Sequence, residues 1–223
     1  MDRKMRVASS CVLTALLGGV PLGAMAYEQG DFLFRAGAAA VIPNDDSGEV
    51  EPIGGTVEVE DGYSLGLTVV GMVTDQIGIE LLAAWPFEHD IEGSGALEAI
   101  DDLATIKHLP PTVSLQWYPN LTTTVVQPYF GVGVNYTTFF DEEGGDDLEA
   151  VVGDTDVSLD DSWGWSVQMG ADWQLTDRVF ANTAVWYIDI DTEATLDTTL
   201  AGKLTVDVDI DPWVVLLGLG YRF

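Results

Sequence analysis

Charged and apolar residues are segregated along this chain in a pattern that few folds can accommodate. Acidic residues gather in glycine-containing patches at 44–61, 88–102, 141–161 and 189–211. Between them run apolar stretches with almost no charge, joined by links as short as Thr74-Asp75-Gln76 and Leu175-Thr176-Asp177. Long polar connections alternating with tight turns are the mark of a β-barrel that crosses a membrane, long connections outside and short turns inside. Counting segments predicts eight strands, at 32–43, 63–73, 77–90, 105–118, 126–140, 157–174, 179–193 and 204–223. The expected fold class is therefore all-β, an eight-stranded antiparallel transmembrane β-barrel with long acidic outer loops. No stretch beyond the amino-terminal leader approaches the ~20 apolar residues of a spanning helix. A closed barrel is then the remaining way to satisfy backbone groups in lipid.

Alternation within the segments assigns their faces. In the last segment Trp213, Val215, Leu217, Leu219, Tyr221 and Phe223 share one face, leaving Val214, Leu216, Gly218, Gly220 and Arg222 on the other. In the third, Ile77, Ile79, Leu81, Ala83, Trp85 and Phe87 are expected outside, with Gly78, Glu80, Leu82, Ala84 and Pro86 inside. The sixth places Trp165, Val167, Met169, Ala171 and Trp173 outside against Ser166, Gln168, Gly170 and Asp172. Aromatic residues near segment ends, as in Trp85-Pro86-Phe87, Trp117-Tyr118, Tyr136, Trp173 and Trp213, fit girdles at the two lipid interfaces. A water-soluble barrel would also alternate, but with its large residues inward. Here the less apolar face is rich in Gly, Ser, Gln, Asp and Glu, which suits a narrow lumen.

The first 26 residues are expected to be a cleaved secretory signal. Arg3, Lys4 and Arg6 precede an apolar run from 7 to 22, and Ala24-Met25-Ala26 has the small-x-small form of a cleavage site. Residues 27–223 would then form one barrel domain without the lone cysteine, Cys11. The whole chain carries 8 Lys and Arg against 37 Asp and Glu. A surface this acidic repels phosphate backbones and argues against nucleic acid as a partner. Acidic disorder is excluded by an apolar content of 47 % and by aromatic residues spread throughout.

The segment ending at Phe223, with Tyr221 two places earlier and apolar residues at alternate positions before that, has the form of a carboxy-terminal signal read by the outer-membrane barrel assembly machinery. Several stretches occur in order: residues 30–37 (GDFLFRAG), 74–84 (TDQIGIELLAA), 108–112 (HLPPT), 116–118 (QWY), 128–133 (PYFGVG), 135–140 (NYTTFF), 161–163 (DSW), 185–191 (VWYIDID) and 211–213 (DPW). Together they closely resemble the outer membrane protein W family, over essentially the whole of 27–223. The acidic segments are longer and more acidic than that resemblance leads one to expect.

The resemblance implies the outer membrane of a Gram-negative bacterium. It also implies a narrow apolar channel for small hydrophobic solutes, and in some members a receptor role for toxins or phage. It further implies a constriction at Leu82 and Trp186. Parity independently places Leu82 inward beside Glu80. For Trp186 the residues leave two readings open: inward with Asn182, or outward as a lipid-facing tryptophan. Outer-membrane lipid and lipopolysaccharide are the expected surroundings.

Candidate chemistry is sparse. His89 and His108 would lie near one another at the outer rim, and a barrel hydrolase using them with loop carboxylates is a competing reading. No serine has nucleophile-elbow spacing and no His-x-x-x-His pair occurs. The run Asp141-Glu142-Glu143-Gly144-Gly145-Asp146-Asp147 offers oxygen ligands but lacks EF-hand spacing. No metal or cofactor is expected. Arg35, Glu80, Asp172 and Arg222 are lumen-facing charges by parity. They should pair inside the lower barrel, because an unpaired buried charge is costly. Such a plug would send apolar cargo sideways into the membrane.

Overall fold

A computed structural model describes residues 27–223 except 45, 53, 101 and 121–124. The expected signal segment lies outside the described residues. The strands, in order, are β1 (Phe32–Ile42), β2 (Asp46–Ser47), β3 (Thr56–Val59), β4 (Gly62–Met72), β5 (Ile77–Ala84), β6 (Phe87–Ser94), β7 (Ala104–Leu109), β8 (Thr112–Trp117), β9 (Val126–Gly144), β10 (Thr155–Leu159), β11 (Ser162–Gln174), β12 (Val179–Ile188), β13 (Asp191–Thr198), β14 (Gly202–Asp209) and β15 (Trp213–Arg222). A 3-10 turn follows β6 at Gly95–Leu97, and a helix, α1 (Asp146–Val152), follows β9.

Eight of these strands close a barrel in the order β11, β12, β15, β1, β4, β5, β8, β9, with β9 pairing back onto β11. Every pairing in the wall is antiparallel. Its lipid-facing surface exposes Leu65, Val69, Ile79, Leu81, Val113, Leu115, Val132, Val134, Met169, Leu217 and Leu219. Exposed aromatics ring both ends of this band. At the outer edge the Tyr136 and Trp163 rings lie 4.8 Å apart, with Trp85 and Tyr63 also exposed. At the inner edge Trp117 and Phe130 stack at 6.2 Å, with Trp173 and Phe223 also exposed. From Trp163 to Trp173 a tilted strand climbs about 25 Å, the height of an outer-membrane apolar band.

The acidic segments connect the wall strands on the outer side as expected, but with more regular structure than loops. They continue the structure above the outer girdle as paired strands. One sheet extends β9 through β7 and β6 to β3, and a second runs β10, β13, β14, β2. In β13 Ala194 and Leu196 are buried while Asp191, Glu193 and Asp197 are exposed, and β14 repeats this with Val206 and Val208 against Asp207 and Asp209. Inside the bilayer the outward residues must be apolar, whereas in water they are carboxylates, and one period-2 rule serves both environments. Asp146 and Asp147 open α1, where acidic side chains complement the helix N-terminus. The stretch considered for calcium thus spans the end of β9 and the start of α1.

Face reversals separate the two halves. Val57 and Val59 face inward, yet after Glu60-Asp61 the inward set becomes Gly62, Gly66, Thr68 and Val70. The same happens at Asp160-Asp161 and at Trp85-Pro86. Phe87, expected on the lipid face, is therefore buried in the interior. An extra residue in one strand swaps every later side chain to the other face.

The outer half carries much of the formal charge of −29. Carboxylates this dense repel one another unless screened, and the Debye length falls from ~30 Å at 0.01 M salt to ~3 Å at 1 M. Raising sodium chloride over that range should raise the midpoint of thermal unfolding, followed by tryptophan fluorescence. A flat response would show that self-repulsion is unimportant.

Candidate functional site: a lumen sealed below and apolar above

The lower lumen is filled by a polar cluster centred on Arg35, a fully buried side chain on β1. Its guanidinium donates from Nη1 to Glu80 Oε2 at 3.2 Å, from Nε to Asp172 Oδ1 at 3.1 Å, and from Nη2 to Asp172 Oδ2 at 2.7 Å. Nη2 also donates to the Tyr118 hydroxyl at 3.1 Å. The guanidinium carbon lies 4.6 Å from the centre of the Tyr129 ring, a cation–π contact. Each carboxylate has further donors. Gln116 and Gln168 reach Glu80 at 2.8 and 2.9 Å, and Tyr27 and Asn182 reach Asp172, both at 2.7 Å. Buried charges are tolerated only with this degree of pairing.

Parity brings Arg35, Glu80 and Asp172 to one point because β1, β5 and β11 each aim them into a narrow barrel. Arg222 stands apart: its Nε lies 3.3 Å from Asp31 Oδ2 at the inner rim and does not join the cluster. Tyr221 accepts from Arg178 at 3.3 Å and packs on Phe223 with ring centres 4.7 Å apart. Tyr118, expected in the girdle, is buried in the plug instead. Tyr27 and Tyr129 escaped sequence reasoning. Tyr129 lies in step with Gln127, Gly131 and Gly133, and that shared parity was the available signal.

Above the plug the lumen becomes apolar. Leu82 and Trp186 line one small cavity of about 10 Å³ with Ala39, Phe87, Pro110 and Leu216. Trp186 faces inward and is fully buried, which decides between the two orientations its sequence left open. Higher still, the outer half encloses a second cavity of about 40 Å³ bounded, among the described residues, by apolar side chains that include Ile91, Ile106, Leu148, Leu196, Leu204 and Val206. A volume of ~10–15 Å³ holds roughly one water, so a solute can pass only if side chains move.

The barrel wall is interrupted beside the lower cavity. β5 pairs with β8 only as far as Leu82↔Thr112, and β6 pairs with β7 from Phe87↔His108. Residues 83–86 and 109–111 lie between these ladders. Pro86, Pro110 and Pro111 have no N–H to give, so the ladder cannot run on through them.

His89 and His108 occupy the level between the two cavities. Their Nε2 atoms are 2.9 Å apart, and His89 Nδ1 is 2.6 Å from the Glu60 carbonyl oxygen. Burial lowers the pKa of His89, and burial together with the neighbouring ring lowers that of His108 to about 3, so both are neutral at pH 7. No serine or carboxylate hydrogen-bonds either ring among the described residues.

These features define a class, an eight-stranded outer-membrane β-barrel with a plugged lower lumen and an apolar upper one. Residues 28–223 match the OmpW family. Outer membrane protein W of Vibrio cholerae serotype O1 is 43 % identical over 222 residues, covering 99 % of this chain and all of that protein. The crystal structure of the outer membrane protein OprG from Pseudomonas aeruginosa superposes with a TM-score of 0.81 at 42 % identity, covering 88 % of this chain and 97 % of that one. A more distant relative, the dibenzothiophene metabolism operon protein PahQ of Pseudomonas aeruginosa, is 26 % identical over 177 residues, 76 % of each chain. The chain belongs to the OmpW family and is an integral protein of the Gram-negative outer membrane.

Proposed function

We propose that the barrel is a conduit for small hydrophobic molecules. The observation that carries this reading is the vertical order of the lumen: an all-apolar chamber outside the membrane, an apolar cavity at Leu82 and Trp186 below it, and a charged plug beneath both. An apolar solute gains by leaving water for the upper chamber. It cannot profit from going on through the plug, whose polar groups are already paired. The interrupted wall between Leu82 and Phe87 offers the exit, sideways into the bilayer. Phe87 and Pro110 line the cavity, Phe87 at the edge of that interruption and Pro110 within it. A relative named for a dibenzothiophene operon fits cargo of this kind.

In this reading the protein is not an enzyme and needs no metal or cofactor; Leu82 and Trp186 form the constriction. Tyr221 and Phe223 act during assembly, when the barrel assembly machinery reads the terminal strand. The acidic exterior faces the lipopolysaccharide layer, where divalent cations bridge it to phosphate groups.

Leu82→Trp tests the passage. Filling the lower cavity should cut uptake of an alkane-like solute into proteoliposomes at least several-fold. Overpacking costs about 1–3 kcal/mol, which a barrel can absorb, and heat-modifiable gel migration would verify folding. A folded variant with undiminished uptake would place the route elsewhere.

A further inference from the structure

The two histidines form a buried polar pair between the two apolar cavities. In the register of β6 and β7, His89 lies opposite Ile106 and Phe87 opposite His108. Ile91 and Ile106 line the chamber above, and Phe87 and Pro110 line the cavity below. The His108 ring is held between Phe87, stacked at 5.6 Å, and Phe139 at 5.9 Å. Gly62 leaves the room that His89 occupies, since a Cβ there would strike the His89 ring.

The hydrogen bonds dictate where the protons sit. The Glu60 carbonyl can only accept, so His89 Nδ1 donates to it. In a neutral ring the other nitrogen then carries a lone pair, so His89 Nε2 accepts from His108 Nε2. His108 Nδ1 is left as an acceptor, buried, with no donor among the described residues. Such an atom loses its hydration without compensation. Below it, Trp186 Nε1, a donor, is likewise buried without an acceptor.

We propose that His108 Nδ1 recognises the hydroxyl group of neutral amphiphiles, so that apolar molecules bearing one O–H, such as alcohols and phenols, are preferred over hydrocarbons of equal size. The O–H donates to Nδ1, and Trp186 supplies the complementary donor deeper in the passage. A carboxylate has no proton to donate and is repelled by the acidic exterior, which excludes ionised fatty acids from this class. The inference rests on the conduit reading for access to the site, but binding can be measured apart from transport.

The chain contains only two histidines, so ring ¹⁵N spectra of the full-length mature protein in lipid nanodiscs are assignable. The protein should show one unprotonated nitrogen per ring. Titration with 4-butylphenol should shift the His108 Nδ1 resonance saturably, and titration with butylbenzene should not. His108→Phe keeps the aromatic stack and should lower phenol affinity relative to butylbenzene about fivefold, the worth of one hydrogen bond. Equal responses to the two probes, or none to either, would overturn the proposal, as would a site filled by water alone. If His108→Phe fails to fold, the wild-type titration still decides. A phenol-specific shift without any solute uptake would defeat the conduit and leave the binding site standing. Uptake with a silent His108 resonance would do the reverse.

Discussion

Replacing Arg35 with methionine should destabilise the folded barrel by about 3–5 kcal/mol, the usual cost of removing one partner from a buried ion pair. The substitution keeps the volume of the stem but leaves Glu80 and Asp172 facing each other across the lumen without a cation. The neutral donors that remain, Gln116, Gln168, Tyr27 and Asn182, are already committed to these carboxylates and cannot replace a full positive charge. Adding Glu80→Gln and Asp172→Asn to Arg35→Met should recover a large part of the loss, because the uncompensated charges are then gone. Urea unfolding of the refolded barrel, read by heat-modifiable migration, measures all three states. If the single variant were as stable as wild type, the cluster would not be the structural plug described above.

Trp186→Ala should have opposite effects on stability and passage. Truncating a fully buried tryptophan costs about 3–5 kcal/mol, and removing its unpaired indole N–H returns part of this. The loss should fall at the low end, near 3 kcal/mol. The cavity beside Leu82 would widen by most of an indole. Uptake of solutes too bulky for the wild type, such as branched or bicyclic hydrocarbons, should rise several-fold, while linear alkanes change little. Unchanged size selectivity in a folded variant would remove Trp186 from the constriction.

How much of this was legible in the sequence depended on whether the period-2 pattern kept its phase. From Phe180 to Leu196 even-numbered residues face inward without a break, so parity counted from Asn182 gives the interior set of β12, although its two apolar faces left Trp186 open. Leu82 and Glu80 were likewise assigned by parity alone. Phe87 and His89 were not, because the backbone breaks at Trp85-Pro86 and resumes on the other phase. A single sequence gives the alternation of each stretch but not the inserted residue between them. The acidic segments misled for a different reason. Their charge reads as loop, yet residues 203–210 alternate Lys, Thr and Asp with Leu, Val and Ile, and Ala194 and Leu196 keep the same phase between Glu193, Thr195 and Asp197. Tyr118 was lost because a tyrosine beside Trp117 looks like an interfacial pair. Only the closed lumen shows that one ring faces lipid and the other Arg35.

The plug and the apolar chambers have a shared consequence. In the conduit reading the lumen takes up apolar solutes but is sealed to water and ions, so it should pass cargo without conducting. The most direct measurement is therefore uptake of a fluorescent alkane-like solute into liposomes with and without the purified barrel, recorded beside ion conductance across the same membranes. Faster uptake with protein present, with conductance no greater than that of the bare membrane, is the result expected here. Equal uptake in protein-free and protein-containing liposomes would contradict the conduit.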